Sequence, residues 1–154
     1  MATIELETII QAPPAVCYAL KLDVGQHVAS TRQTQERIVA GRTSGQPEVG
    51  ELITWEARHI GVRQWLTVQV TAAEPPRHFR DEMRRGAFKS MSHDHYFEAL
   101  AGGTATLMRD VFAFESPCGP LGRWFNQLFL IGYLTRFLQA RNLSLKQQAE
   151  IYAG

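Results

Sequence analysis

Residues 91–97 read MSHDHYF, and two imidazoles two positions apart in a strand-like run are the first place where this chain could do chemistry. In an extended backbone successive side chains alternate faces. Met91, His93, His95 and Phe97 then share one face, and Ser92, Asp94 and Tyr96 share the other. Histidines so placed can hold a metal, move protons near neutral pH, line a pocket or sit as packed polar groups. Two further runs put carboxylates on comparable rows. Phe79, Asp81 and Met83 alternate onto one side of their run, as do Thr106, Met108, Asp110, Phe112 and Phe114 of theirs. Each row mixes large apolar residues with ionisable ones, while the opposite rows carry Arg80, Glu82 and Arg84, or Ser92 and Asp94, which suit solvent. The mixed rows are therefore expected to face inward, with Asp81, His93, His95 and Asp110 on neighbouring rows. In the run 52–58, Ile53, Trp55 and Ala57 look inward and Glu56 outward, an assignment that a bulge would reverse and that stays open here.

Apolar walls with a few convergent polar groups describe a small-molecule site, and two buried His–Asp pairs that are purely structural describe the same residues equally well. His-x-His with nearby carboxylates is also a genuine metal-ligand spacing. The sequence has neither an HExxH motif nor a cysteine cluster, so no metal is expected. No cofactor is expected either: GRTSG (41–45) lacks the lysine and spacing of a P-loop. A His–Asp pair suits general acid–base work, but no GxSxG nucleophile motif accompanies it. Whether the chain catalyses a reaction stays open, and no catalytic residue is assigned.

The elements that must position these residues read as follows. TIELETIIQAP alternates as a first strand, and Pro13 and Pro14 stop it at the entry of a short helix. Asp23 is placed to cap a second. TRQTQERIVAGR reads as an exposed strand and TSGQPEVG as a loop. ELITWEARHI and VRQWLTVQVTAAE meet across Gly61 as a hairpin. RHFRDEMRR, AFKSMSHDHYFEAL and TATLMRDVFAFE follow, joined by links too short for parallel crossovers. After SPCGPLG (116–122) the chain reads as one long helix. Trp124, Leu128, Ile131, Thr135, Leu138, Asn142 and Leu145 form one stripe; Leu130, Tyr133 and Phe137 form a second on another face. Of the helix arginines, Arg123 and Arg136 suit solvent, and Arg141 can reach inward to a carboxylate or an anionic ligand group. Trp65 reads as a surface aromatic. The fold class is α+β: a curved antiparallel sheet of about six to seven strands around a C-terminal helix, in a single domain over 1–154.

With 154 residues, 45% of them hydrophobic, and a net charge of +1, the chain suits one packed core. It lacks the basic balance of a general nucleic-acid binder, so no nucleic-acid partner is expected. Cys17 and Cys118 share no motif and are expected to be free thiols. No signal peptide and no stretch of about 20 apolar residues is apparent. The expectation is a cytoplasmic protein with no stable membrane insertion; a homodimer is left open.

Several stretches carry a resemblance: GELITWEARHIGV (50–62), FRDEMRRGAF (79–88), HDHYFE (93–98) and TATLMRDVFAFESPCGPLG (104–122). Together they resemble the SRPBCC superfamily, the helix-grip fold of START lipid-transfer domains, birch-pollen-type allergens and polyketide cyclases, and within it a bacterial ligand-binding, cyclase/dehydrase-like subgroup. The resemblance implies a cavity between the curved sheet and the C-terminal helix that takes a small, largely hydrophobic or amphipathic ligand, in a carrier or sensor. A polyketide cyclase or dehydratase using the same cavity is the alternative. A protein-interaction module using the second helix stripe is a third. The residues expected to bind the ligand are Trp55, Phe79, Asp81, Met83, Met91, His93, His95, Phe97, Met108, Asp110, Phe112, Leu128, Leu138 and Arg141.

Overall fold

A computed structural model describes the chain apart from residues 118 and 126–128, and gives no side-chain description at 33, 122, 123 and 125. The expectations for Leu128 and Cys118 therefore lie outside the described residues. Seven strands form one antiparallel sheet: β1 (Ala2–Ile10), β2 (Arg37–Ala40), β3 (Leu52–His59), β4 (Val62–Glu74), β5 (His78–Arg85), β6 (Ser90–Leu100) and β7 (Ala105–Glu115). Their order across the sheet is β1-β7-β6-β5-β4-β3-β2. Only β1 departs from a simple meander, because α1 (Pro14–Leu22) and α2 (Val24–Ser30) carry the chain from one edge to the other. Asp23 does two jobs there. Its backbone N–H closes the last turn of α1 on the Ala19 carbonyl, and its carboxylate accepts the Gln26 N–H at 3.0 Å to start α2. That is the side-chain cap the sequence implied.

The sheet curves because its registers slip. The β4–β5 ladder shifts between Thr67 and Val68 and again between Val70 and Ala72, and β2–β3 shifts between Ile38 and Ala40. Each extra residue bends its strand and sharpens the local twist. The strand expected from Thr31 onward begins only at Arg37, since residues 32–34 make a single 3-10 turn that ends in left-handed Gln35. Between β3 and β4, Ile60 and Gly61 both have positive φ, 54° and 72°. This is the geometry of a tight hairpin turn that asparagine–glycine fills best, and a β-branched residue is strained in it. Ile60→Asn should raise stability by about 1 kcal/mol, measured as a shift of the urea midpoint; an unchanged or lower midpoint would show that Ile60 is held there by packing.

Within the long helix of the sequence reading, the described residues include α3 (Gly119–Phe125) and α4 (Ile131–Ala153). The buried face of α4 is Leu134, Leu138, Asn142, Leu145 and Ala149. It shares Leu138, Asn142 and Leu145 with the expected stripe, but Leu134 and Ala149 replace Ile131 and Thr135 as its buried ends, and Trp124 is exposed. The second stripe is not an outer surface. Leu130, Tyr133 and Phe137 are half-buried against Phe112 and Phe114 and face the interior. The warrant for a docking face on this stripe is thereby removed.

The interior is packed solid at one end and open at the other. At the solid end, Tyr18 of α1 sets its ring edge-on to Phe79 and Phe97, with Ile10, Met108, Leu145 and Ala149 around them. Cys17 is buried there as a free thiol, hydrogen-bonded to the Ala12 carbonyl, and burial pushes its pKa up. At the other end the sheet offers smaller side chains, among them Ala57, Val68 and Val70. They leave the space between β3–β4 and α4 unfilled.

Candidate functional site

The unfilled space is a cavity of about 530 Å³ between the concave sheet face and α4. A volume in this range suits a small molecule. Its walls are largely apolar, with Trp55, Met91, Phe112 and Leu138 among them, and its polar groups fall into two clusters.

The first cluster is the one the sequence pointed to, with additions. Register puts His93 opposite Phe112 and His95 opposite Asp110 on β7, and Asp81 of β5 opposite His93. Asp110, almost without solvent exposure, is the hub. Its Oδ1 accepts from His93 Nε2 and His95 Nδ1, each at 2.9 Å, and lies 3.5 Å from Lys21 Nζ. Its Oδ2 accepts from Asn142 Nδ2 at 2.7 Å. Lys21 donates in turn to Asn142 Oδ1 at 2.7 Å. A cation on one side and a carboxylate on the other leave the Asn142 amide one sensible orientation. Burial works against the charge on Asp110, but Lys21 and the two histidines outweigh it and hold its carboxyl well below the usual range. Burial pushes Lys21 down from the ordinary lysine value, opposed by Asp110.

The two imidazoles differ. His95 bridges two carboxylates, with Nδ1 toward Asp110 and Nε2 3.2 Å from Asp81 Oδ2. A carboxylate can only accept, so a ring N–H is the donor in either contact. Burial alone would raise the Asp81 carboxyl, yet the bond to His95 keeps it below its ordinary value. His93 gives one N–H to Asp110 and lines the cavity, and its Nδ1 has no hydrogen-bond partner among the described residues. Burial, then the charge at His95, depress His93 to about 4. At neutral pH it is an uncharged ring with a lone pair available to the cavity.

The second cluster was not foreseen. His27 of α2 stacks on Trp55 with ring centroids 4.1 Å apart. Arg141 of α4 meets His27 Nδ1 at 2.7 Å, and Glu36 meets Nε2 at 2.7 Å. A guanidinium only donates, so Nδ1 accepts and Nε2–H is given to Glu36. Burial and the neighbouring Arg141 lower the His27 pKa, which agrees with that neutral tautomer. Arg141 Nε is buried with no partner among the described residues. Nearby, His59 Nδ1 and the Tyr133 hydroxyl lie 2.8 Å apart. Nothing in the sequence flagged Lys21, His27, Glu36, His59 or Asn142 as site residues, because each lies outside the three central strands and its pattern is that of an ordinary polar residue.

Of the residues expected to bind ligand, Trp55, Phe79, Asp81, Met91, His93, His95, Phe112, Leu138 and Arg141 line the cavity. Four do not. Phe97 and Met108 point to the same sheet face but lie under α1 and the end of α4, which fill that end. Met83 packs beside Leu66 and Phe88 toward the rim, and Asp110 sits one layer behind the imidazoles. Glu56 does lie on the outer face, yet it is buried there between Arg37 at 2.8 Å and Arg63 at 3.0 Å. Asp94, expected in solvent, is likewise covered by His78 and Arg80, at 2.8 and 2.9 Å. Long basic side chains bury carboxylates that the backbone alone would expose. Trp65 is exposed and contributes to the rim of the cavity.

A family model described as polyketide cyclase/dehydrase and lipid transport matches residues 1–150. The chain belongs to this family. Solved structures agree on the fold. A protein from Thermus thermophilus superposes with a TM-score of 0.79 at 15% identity, covering 99% of this chain and 100% of that one. The Zhui aromatase/cyclase from Streptomyces sp. R1128 gives 0.76 at 14% identity, covering 97% and 93%. A START superfamily protein from Mycobacterium smegmatis gives 0.73 at 13% identity, covering 97% and 98%. These likenesses establish the helix-grip fold. No curated protein sequence matches. Among the described residues, no helix is long and apolar enough to cross a membrane.

Proposed function

We propose that the protein binds a small, largely apolar molecule in the cavity between sheet and α4, with a hydroxyl or similar donor of that molecule set against His93 Nδ1. The observation that carries this reading is that His93, held through Nε2 by Asp110, lines a largely apolar cavity of about 530 Å³ with no hydrogen bond at Nδ1 among the described residues. Arg141 Nε, buried with no partner among the described residues, offers a donor for a second polar group of the ligand.

The choice between carrier and enzyme turns on His93. A general base works best when its pKa lies near the working pH, and His93 at about 4 is far below it. It accepts a hydrogen bond well and takes a proton poorly, which favours a carrier or sensor that returns its ligand unchanged. The cyclase or dehydratase reading keeps one observation in its favour: the His95–Asp81 pair, 3.2 Å apart, lies beside the cavity.

Naphthalene and 2-naphthol test the proposal, with quenching of Trp55 as the signal. The hydroxylated probe should bind more tightly by about 1 kcal/mol, and His93→Phe should erase that preference while naphthalene affinity holds. Equal affinity of both probes for the unaltered protein would refute the role of His93. Mass spectrometry of organic molecules released from the purified protein would identify the natural ligand class.

A further inference from the structure

We propose that His93, His95 and Asp81 bind a single divalent transition-metal ion, Zn²⁺ by its ligand preference, on the cavity side of the cluster. Each of the three offers a donor atom within 4.8 Å of the other two. The stronger argument is what stands behind them. One carboxylate oxygen, Asp110 Oδ1, holds His93 through Nε2 and His95 through Nδ1. Each ring therefore has one nitrogen fixed by a buried carboxylate and the other aimed elsewhere. Metal-binding histidines are oriented this way, by a second carboxylate that sets the tautomer and raises ligand basicity.

The remaining nitrogens are His93 Nδ1, which has no partner among the described residues, and His95 Nε2, which lies 3.2 Å from Asp81 Oδ2. That distance is long for a charge-assisted hydrogen bond, which runs about 2.7–2.9 Å. It is ordinary for two donors that share one ion at about 2.0–2.2 Å each. Two imidazoles and one carboxylate suit zinc, with the cavity side left for water or a ligand oxygen. Charge permits it. Asp81, Asp110 and Glu36 bring three carboxylates against the cations Lys21 and Arg141. The sequence motifs gave no metal because the third ligand and the orienting carboxylate come from strands β5 and β7, on either side of the His-x-His run.

The site shares His93 with the ligand reading and deepens it, and its test needs no organic molecule. The full-length protein, stripped with EDTA, is titrated with Zn²⁺ by calorimetry at neutral pH and with Co²⁺ by visible absorption. One saturable site per chain and a Co²⁺ d–d band are expected. Asp81→Asn should weaken Zn²⁺ binding by at least about tenfold, and His78→Gln, on the outer sheet face, should leave it unchanged. Absence of saturable binding would overturn the proposal, as would binding that survives Asp81→Asn and disappears in His78→Gln. Should Asp81→Asn fail to fold, ¹⁵N imidazole shifts of the unaltered protein decide: His93 and His95 must move on adding Zn²⁺, and their standing still while metal binds elsewhere would end it. Probe binding by the EDTA-stripped protein tests the cavity separately.

Discussion

Asp110→Ala is expected to destabilise the fold by about 3–5 kcal/mol. Asp110 is the only described carboxylate that accepts from both His93 and His95, and it also accepts from Asn142 and faces Lys21. Removing it leaves a buried ammonium whose remaining hydrogen-bond partner is the Asn142 amide oxygen. Two imidazole N–H groups lose their acceptor as well. Breaking one side of a buried ionic group costs more than the group itself contributes, because the survivor keeps its desolvation penalty. Equilibrium urea unfolding gives the number directly. In the double variant Asp110→Ala with Lys21→Met the stranded charge is gone, so the loss should fall short of the sum of the single losses by about 1 kcal/mol or more, as for other groups in contact. A loss below about 1 kcal/mol for Asp110→Ala would mean that water replaces the carboxylate at no cost and that the cluster is not a buried ionic unit.

Mild acid should unfold the protein well before its carboxylates titrate as a class. In the unfolded chain His93 titrates near 6.5; in the folded protein burial and the charge at His95 bring it to about 4. Above pH 6.5 the ring is neutral in both states and pH has no effect through it. Between about 6.5 and 4 the unfolded chain takes up a proton that the folded one refuses, so stability falls as pH falls. At about 1.4 kcal/mol per pH unit, the full span is worth about 3 kcal/mol. His27 and His59, also lowered by burial, act in the same direction. Asp81 and Asp110 extend the slope further down. Their depressed carboxyls contribute stability above their unfolded values and lose it as pH drops through the folded ones. Metal-free protein followed by urea unfolding between pH 8 and pH 4 should show this slope, and His93→Phe should flatten it. A stability constant across that range would show that water reaches His93 freely enough to protonate it in place.

The sequence alone determined the strands, their order along the chain and the face each residue takes. Alternation is a local property: once Met91, His93, His95 and Phe97 lie in one extended segment, the pleat puts them on one side whatever else the chain does. Short links then force antiparallel pairing, which makes Asp81 and Asp110 neighbours of the histidines. The cap at Asp23 and the breaks at the proline pairs are local in the same sense. Tertiary structure decided which end of the inward face stays open. Phe97 and Met108 share a face with His95 and Asp110, but α1 and the end of α4 bury them, and only the path of those helices separates a filled end from a cavity. It also chose the partners. Lys21, His27, Glu36 and Asn142 come from α1, α2, the turn before β2 and α4, up to 121 positions apart for Lys21 and Asn142. No spacing rule links such residues, because what brings them together is the apolar burial of the helices that carry them, and polar groups carried inside must then find one another.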